Sequence, residues 1–91
     1  MVYSVLVSKT FQKEFRQLPD TFQKKIRKIL KGLQDDPLTS RPDFDIKILK
    51  DTQPKKHRLR VGKYRIIYLV SKKEVKVIDL FKRETGYKRI K

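Results

Sequence analysis

The chain has 91 residues and a formal net charge of +15, because 25 Lys and Arg face only 10 Asp and Glu. This length allows one core, so residues 1–91 are expected to form a single domain. The absence of cysteine and the single histidine exclude thiolate catalysis, disulfides and the common zinc ligand sets, and no stretch of about 20 apolar residues is present to span a membrane.

The first predicted elements are a strand and a helix. Residues 2–8, VYSVLVS, are rich in β-branched and aromatic side chains, which predicts a strand. Over residues 9–18 the apolar residues recur at i, i+4 and i+7, the spacing of one helix face, and Ser8 is placed to cap that helix. The residues of this face are Phe11, Phe15 and Leu18.

A second, longer helix is predicted after Pro19, which interrupts the first. Residues 20–36 carry apolar side chains at i, i+4, i+7, i+8 and i+11, an amphipathic stripe whose other sides hold lysine and arginine. The two helices are expected to form a tight αα-hairpin with its cations in solvent. The stripe consists of Phe22, Ile26, Ile29, Leu30 and Leu33.

The second half of the chain predicts a sheet. Residues 44–50 form one short strand, and residues 57–61 and 64–70 flank a Gly-Lys dipeptide, the hairpin signal of a type II′ turn. Residues 75–81 continue the meander. The expected fold class is α+β: an N-terminal strand, an αα-hairpin packed on one face of a small, mainly antiparallel twisted sheet, and a polar C-terminal tail.

The two-residue turn determines which hairpin residues share a face. Arg60 pairs with Arg65, and Arg58 pairs with Ile67, which gathers three arginines on one face. Like charges directly opposite in a sheet repel by about 0.2–1 kcal/mol. The other face is apolar and suits contact with the helices. It carries Leu59, Val61, Tyr64, Ile66, Tyr68 and Val70.

Two explanations of the three arginines remain open. A bound phosphate could supply the missing negative charge, since a guanidinium donates two parallel hydrogen bonds to phosphate oxygens. Alternatively, the arginines extend into solvent or pair with Asp43, Asp45 or Asp51 from the preceding strand and loop. With a two-residue loop before the last strand, Asp79 is expected opposite Ile66 on the apolar face.

The charge is unevenly distributed along the chain. Residues 46–91 contain sixteen basic and four acidic residues, a net +12, whereas residues 1–45 carry a net +3. A polyanion-binding face would concentrate charge in this way. Nucleic acid is therefore the leading partner class, ahead of an acidic protein or an anionic membrane surface. Because the N-terminus lacks the features of a signal peptide, a cytoplasmic protein is expected.

The ordered set of HRLRVGKYRIIYLV, a following strand and FKRETGY resembles the RelE-type toxins of bacterial and archaeal toxin–antitoxin pairs, within the RelE/ParE superfamily. The resemblance covers the whole chain, including its length, its order of elements and the FDIKILK strand. It implies a ribonuclease that cuts mRNA, typically in the ribosomal A site, and that an acidic antitoxin holds inactive. The expected partners are thus mRNA in the ribosome and the antitoxin.

The resemblance also implies roles for individual residues. Arg58 and Arg60 match the family's basic residues that contact the RNA backbone. Arg65 matches the arginine that braces the scissile phosphate, and Arg83 matches one implicated in transition-state stabilisation. Tyr87 matches the tail aromatic that stacks on or orients a base and is a candidate for proton transfer. The implied catalytic residues are therefore Arg65, Arg83 and Tyr87.

Two departures from the family concern the general base. Some members have lysines where this chain has Arg58 and Arg60, and a guanidinium does not lose a proton near neutral pH. Many members have histidine before the tail arginine, where this chain has Lys82, which we assign to RNA or phosphate binding. Tyr87, Lys82 and His57 remain candidates for proton transfer in a reaction that uses no metal and no cofactor.

Two rival interpretations use the same basic residues. The chain could be a non-catalytic module that binds RNA or the ribosome. It could also be a decayed toxin that only binds an acidic antitoxin. The first predicts salt-dependent binding without cleavage, and the second predicts tight partner binding without a translation defect.

Overall fold

Two helices and five strands make up the described part of the chain. The computed structural model describes residues 3–49 and 55–82. In chain order the elements are β1 (Ser4–Val7), α1 (Lys9–Arg16), α2 (Asp20–Asp35), β2 (Asp45–Leu49), β3 (Lys56–Val61), β4 (Tyr64–Val70) and β5 (Glu74–Lys82). Neither described helix is both long and apolar enough to cross a membrane. This order confirms the α+β prediction, whereas the predicted polar tail after residue 82 lies outside the described residues.

The first helix begins where the sequence places its cap. The Ser8 hydroxyl accepts a hydrogen bond from the Phe11 backbone N–H at 3.0 Å, which satisfies one of the free N–H groups of the first turn. The same hydroxyl donates to the Ile78 carbonyl at 2.7 Å, so the start of α1 is attached to β5. Pro19 then separates α1 from α2, which confirms the predicted αα-hairpin.

The five strands form one sheet in the order β1-β5-β4-β3-β2. Strands β2 to β5 pair antiparallel with their neighbours in sequence, whereas β1 pairs parallel with β5. A parallel pair needs a long crossover connection, and here the helices and three strands separate β1 from its partner. The sheet is therefore mixed but mainly antiparallel, with β1 and β2 at its edges.

Both helices pack on one face of the sheet through the apolar stripes predicted from their spacing. Ile26 of α2 is fully buried, as are Leu59 and Ile66 of the β3–β4 hairpin. Tyr68 is also fully buried, and its hydroxyl donates to the Pro37 carbonyl at 2.7 Å, so this buried polar group is satisfied. The prediction that this face of the hairpin belongs to the core is confirmed.

The β3–β4 hairpin has the register that its two-residue turn predicts. Gly62 has a φ of +58°, a left-handed conformation that the first turn position requires and that glycine adopts without strain. Arg60 pairs with Arg65, and Arg58 pairs with Ile67. The three arginines therefore lie on the sheet face away from the helices, as the alternation predicts.

The last strand differs from the prediction in the position of Asp79. Strands β4 and β5 keep the register of a two-residue loop as far as Tyr68 opposite Val77, and the register then shifts at Ile67, which pairs with Asp79. The prediction of Asp79 opposite Ile66 is therefore wrong. A β-bulge adds one residue to a strand and reverses the face of the residues beyond it. Asp79 consequently shares a face with the arginines.

The connection from α2 to β2 is held by Arg41. Its guanidinium donates to the backbone carbonyls of Gly32 at 3.4 Å and Asp36 at 3.1 Å. The same group lies 4.1 Å from the centre of the Phe44 ring, a cation–π contact. These contacts join the end of α2 to the residue that precedes β2, and so they position the edge strand beside the hairpin.

Candidate nucleic-acid interface

The sheet face away from the helices carries two neighbouring rows of residues that pair across the strands. In the first row Asp45 of β2 pairs with Arg60 of β3, and Arg60 pairs in turn with Arg65 of β4. Phe81 of β5 completes the row opposite Arg65. Directly paired residues have Cβ atoms about 4.5–5.5 Å apart. One carboxylate, two guanidinium groups and an aromatic ring thus follow one another across the sheet.

The second row lies two residues further along β3. Lys47 of β2 pairs with Arg58, and Arg58 pairs with Ile67 of β4. Asp79 of β5 follows opposite Ile67. Because residues two apart on a strand point to the same face, Arg58 lies beside Arg60. The structure therefore brings the three predicted arginines together, and their contacts with RNA remain a prediction.

One carboxylate contacts two of the three arginines. Asp45 Oδ2 lies 2.9 Å from Arg60 Nη2, and Asp45 Oδ1 lies 3.8 Å from Arg58 Nη2. The Arg60 side chain is 52% exposed and the Arg58 side chain 21%, so the first pair is at the solvent and the second is more enclosed. Asp43 forms no ion pair within residues 3–49 and 55–82, and Asp51 lies outside them. Of the three predicted partners, Asp45 is thus the one that the structure pairs with the arginines.

The remaining contacts of the arginines are unequal. Arg58 Nε is buried and has no hydrogen-bond partner among the described residues, although buried donors are normally satisfied. Arg65 is only 8% exposed, and its Nη1 donates to the backbone carbonyls of Tyr64 at 3.3 Å and Gly62 at 3.5 Å. Arg65 is therefore held against its own turn, whereas Arg60 reaches into solvent.

We call the face formed by β2, β3 and β4 the basic face, because in the described residues it carries five cations and one carboxylate, that of Asp45. Such an excess of one sign attracts polyanions. The sequence prediction missed two of the five. The position of Lys56 could have been predicted from the same alternation along β3 that places Arg58. The position of Lys47 could not, because it depends on how β2 aligns with β3. The five cations are Lys47, Lys56, Arg58, Arg60 and Arg65.

Lys82 lies on the other side of the sheet from the basic face. It pairs with the core residue Tyr64, and with Glu14 it lines a cavity of about 250 Å³ between α1 and the end of the sheet. Its side chain is exposed. Contact of Lys82 with the same phosphate as the arginines would thus require RNA to pass the end of β5. Arg83 and Tyr87, the predicted catalytic residues of the tail, lie outside the described residues.

His57 is buried on the helix side of the sheet. It pairs with Tyr68, and the two rings stack with their centroids 5.3 Å apart. His57 Nδ1 is buried and has no hydrogen-bond partner in the described parts of the chain. Burial lowers the pKa of His57 below its usual value. His57 is therefore a neutral core residue that does not reach the basic face.

The free energy of unfolding is expected to decrease as the pH falls below about 6.5, since the unfolded chain then binds a proton at His57 that the folded chain resists. The slope for one proton is at most about 1.4 kcal/mol per pH unit. Above that pH the imidazole is neutral in both states and contributes no slope. Urea unfolding at about pH 5.5 and about pH 7.5 measures the difference, and His57→Gln should reduce it. An unchanged difference in the variant would assign it to other groups.

Comparison with known proteins identifies the family. Residues 3–87 match the family model described as the ParE toxin of the type II toxin–antitoxin system parDE. The chain belongs to this toxin family. Because the match spans nearly all of the sequence, it includes both helices and the whole hairpin of the toxin. The chain is thus the toxin component of a type II toxin–antitoxin system.

This toxin is also similar to archaeal RelE proteins. It is 30% identical over 90 residues to RelE1 of Methanocaldococcus jannaschii, covering 97% of this chain and 98% of that protein. A chain of the RelE–RelB complex from Pyrococcus horikoshii OT3 has a TM-score of 0.80 at 30% identity, covering 91% of the toxin and 97% of that chain. A chain of the RelB–RelE antitoxin–toxin complex from Methanococcus jannaschii has a TM-score of 0.77 at 27% identity, covering 94% and 99%. The predicted membership of the RelE/ParE superfamily is confirmed.

Proposed function

We propose that this toxin is a metal-independent endoribonuclease that cleaves mRNA in the ribosomal A site and so inhibits translation in the cytoplasm. The observation that carries the proposal is the basic face, where three arginines lie in two adjacent rows. The matched family model is named for ParE, and the ParE branch does not cleave RNA. The proposed activity therefore rests on the arrangement of the arginines more than on family membership.

The arrangement of the arginines suits the charge that develops during RNA cleavage. Attack by the ribose 2′-hydroxyl on the phosphate forms a phosphorane with two negative charges, and cationic groups held in place stabilise it. Arg60 and Arg65 lie directly opposite each other, with Arg58 beside them. Because a guanidinium keeps its charge and does not lose its proton, these residues supply electrostatic stabilisation rather than proton transfer.

Proton transfer is assigned to other side chains. His57 is unsuitable, since it is buried on the opposite side of the sheet. Tyr87 is the proposed group, and Arg83 is proposed to add positive charge near it. Lys82 also lies on the helix side of the sheet and would reach the phosphate only past the end of β5. A toxin with so few proton-transfer groups suits a reaction in which the ribosome positions the substrate, because correct placement supplies a large part of a rate enhancement.

The toxin is also proposed to bind an acidic antitoxin. Similar chains from Pyrococcus horikoshii and Methanococcus jannaschii form complexes with RelB. A net charge of +15 favours association with an acidic partner through complementary potentials. A short acidic helical protein encoded in the adjacent reading frame would support this partner.

Translation in a cell-free extract tests the proposed activity. Added toxin is expected to stop translation and to produce new mRNA 5′ ends inside translated codons. Replacement of the three arginines of the basic face with alanine should remove these ends. The matched control replaces three exposed lysines of α2 with alanine, which removes the same number of positive charges, and it should cleave normally. These are Lys24, Lys25 and Lys28.

Two other results would overturn the proposed activity. Arrest of translation without new 5′ ends would identify a non-catalytic RNA- or ribosome-binding module. The log affinity of that module would fall with log salt by about 0.7 per phosphate neutralised on a single strand. Tight binding to an acidic antitoxin with no effect on translation would identify a decayed toxin.

A further inference from the structure

Asp45 is the one carboxylate on β2, β3 and β4 of the basic face, and it contacts two arginines at once, whereas Asp79 lies on the same side of the sheet in β5. Its two oxygens lie 2.9 Å from Arg60 and 3.8 Å from Arg58. Its own side chain is 39% exposed. Ion pairs this exposed contribute little to the stability of a fold. A role in stabilising the fold therefore does not explain a carboxylate on the edge strand beside these arginines.

The contact holds two like charges apart. Arg60 and Arg65 are directly opposite each other on neighbouring strands. Arg60 is bound to Asp45 on the β2 side, whereas Arg65 donates to the carbonyls of its own turn. Each guanidinium of the pair thus has its own anchor. Without Asp45, repulsion from Arg65 and the freedom of an exposed side chain would let Arg60 adopt many conformations.

Asp45 also lowers the net positive charge of the basic face. The five cations and one carboxylate of the basic face carry a net charge of +4, which would be +5 without Asp45. A phosphodiester in its ground state carries one negative charge, whereas the phosphorane carries two. Any net positive charge favours the dianionic phosphorane over the monoanionic substrate, so Asp45 does not create this preference but reduces the attraction of the face for phosphate in both states. Without Asp45 the face would attract any polyanion more strongly, whether or not a phosphate is placed for cleavage.

We propose that Asp45 is a positioning residue of the RNA-cleaving site, which holds Arg58 and Arg60 in place and limits the affinity of the basic face for ground-state phosphate. This inference rests on the proposed ribonuclease activity. It predicts opposite effects on binding and cleavage. A carboxylate that merely repels RNA would affect both in the same direction.

The variant Asp45→Asn tests the proposal, because it keeps the shape of the side chain and removes its charge. Its affinity for a single-stranded RNA oligonucleotide with 2′-O-methyl groups, which cannot be cleaved, should rise about two- to fivefold at low salt. Its rate of mRNA cleavage on ribosomes saturated with toxin should fall at least about tenfold, as misplaced catalytic groups produce.

Asp43→Asn is the matched control. It makes the same change of charge two residues away, at an exposed position that forms no ion pair with other described residues. Asp43 has a φ of +72°, a conformation that asparagine adopts readily, so this variant should fold normally. Its cleavage rate should equal that of the wild type, with at most a small rise in affinity.

Three results decide the proposal. Faster cleavage by Asp45→Asn would show that the carboxylate competes with RNA, and equal cleavage by both variants would show that it is only a surface charge. Each of these overturns the positioning role. If wild-type toxin makes no cuts, the proposed ribonuclease activity fails instead. The NMR signals of the arginine Nε–H groups then test separately whether Asp45 positions the arginines. Asp45→Asn should shift the signals of Arg58 and Arg60, whereas Asp43→Asn should not.

Discussion

Replacing Arg65 with alanine is expected to reduce mRNA cleavage by about 10²–10³-fold, the loss that follows removal of one preorganised donor to a developing oxyanion. Arg65 lies in the middle of the first row, between Arg60 and Phe81, and its guanidinium donates to two carbonyls of its own turn. A group held in this way need not reorganise as the phosphorane forms. The rate at which new mRNA 5′ ends appear in a cell-free extract measures the effect.

Stability must be measured in parallel, because Arg65 is only 8% exposed. Loss of hydrogen bonds from a charged donor is expected to cost about 1–3 kcal/mol of unfolding free energy. Arg65→Lys keeps the charge but not the planar donors, so it should lose cleavage with a smaller loss of stability. Lys63→Ala, at the exposed turn, should retain both. A folded Arg65→Ala toxin that cleaves at the wild-type rate would assign Arg65 a structural role alone.

Both Arg65→Ala and Arg83→Ala are expected to relieve the growth arrest of a cell that expresses the toxin.

Replacing Gly32 with alanine is expected to destabilise the fold by about 1–3 kcal/mol, although alanine is normally better than glycine inside a helix by about 1 kcal/mol. A Cβ at Gly32 would overlap the ring of Phe44. The Arg41 guanidinium lies 4.1 Å from the centre of that ring and also donates to the Gly32 carbonyl, so the ring is packed between neighbours that limit its movement. The midpoint of thermal unfolding should fall by about 4–8 °C per kcal/mol, as circular dichroism can measure.

A second variant separates this overlap from a general effect on the helix. In a Phe44→Ala background, Gly32→Ala should become neutral or stabilising, because the space that the ring occupied is open and only helix propensity remains. Lys31→Ala, at the exposed neighbouring position, should change the unfolding free energy by less than about 0.5 kcal/mol. Equal destabilisation by Gly32→Ala in both backgrounds would contradict the proposed overlap.

Much of the fold could be predicted because its signals are local. Ser8 caps α1 as expected. Phe22 and Ile26, which are four residues apart, lie on the apolar side of α2 that packs on the sheet. The position of β1 could not be predicted in the same way. Its parallel pairing with β5 joins residues about 70 positions apart, and no local pattern specifies such a partner.

In the candidate site, too, local signals predicted some placements and could not predict others. Arg58, Arg60 and Arg65 could be placed on one face because a two-residue turn leaves a single register. Asp45 was one of three possible partners, since the residues between β2 and β3 leave the register of β2 open. Asp79 was placed on the wrong face, because an irregularity in β5 cannot be read from alternation alone.

The sequence by itself determined the two amphipathic helices, the hairpin register and hence the grouping of the three arginines on the face that the core does not use. Each of these depends on residues within one helix or one tight turn, where the periodicity and the turn geometry leave few alternatives. Only the tertiary structure decided that Asp45 binds Arg58 and Arg60, that Lys47 shares their face and that Lys82 does not. These placements depend on how separate strands align across the sheet, and that alignment is set by packing of the whole core.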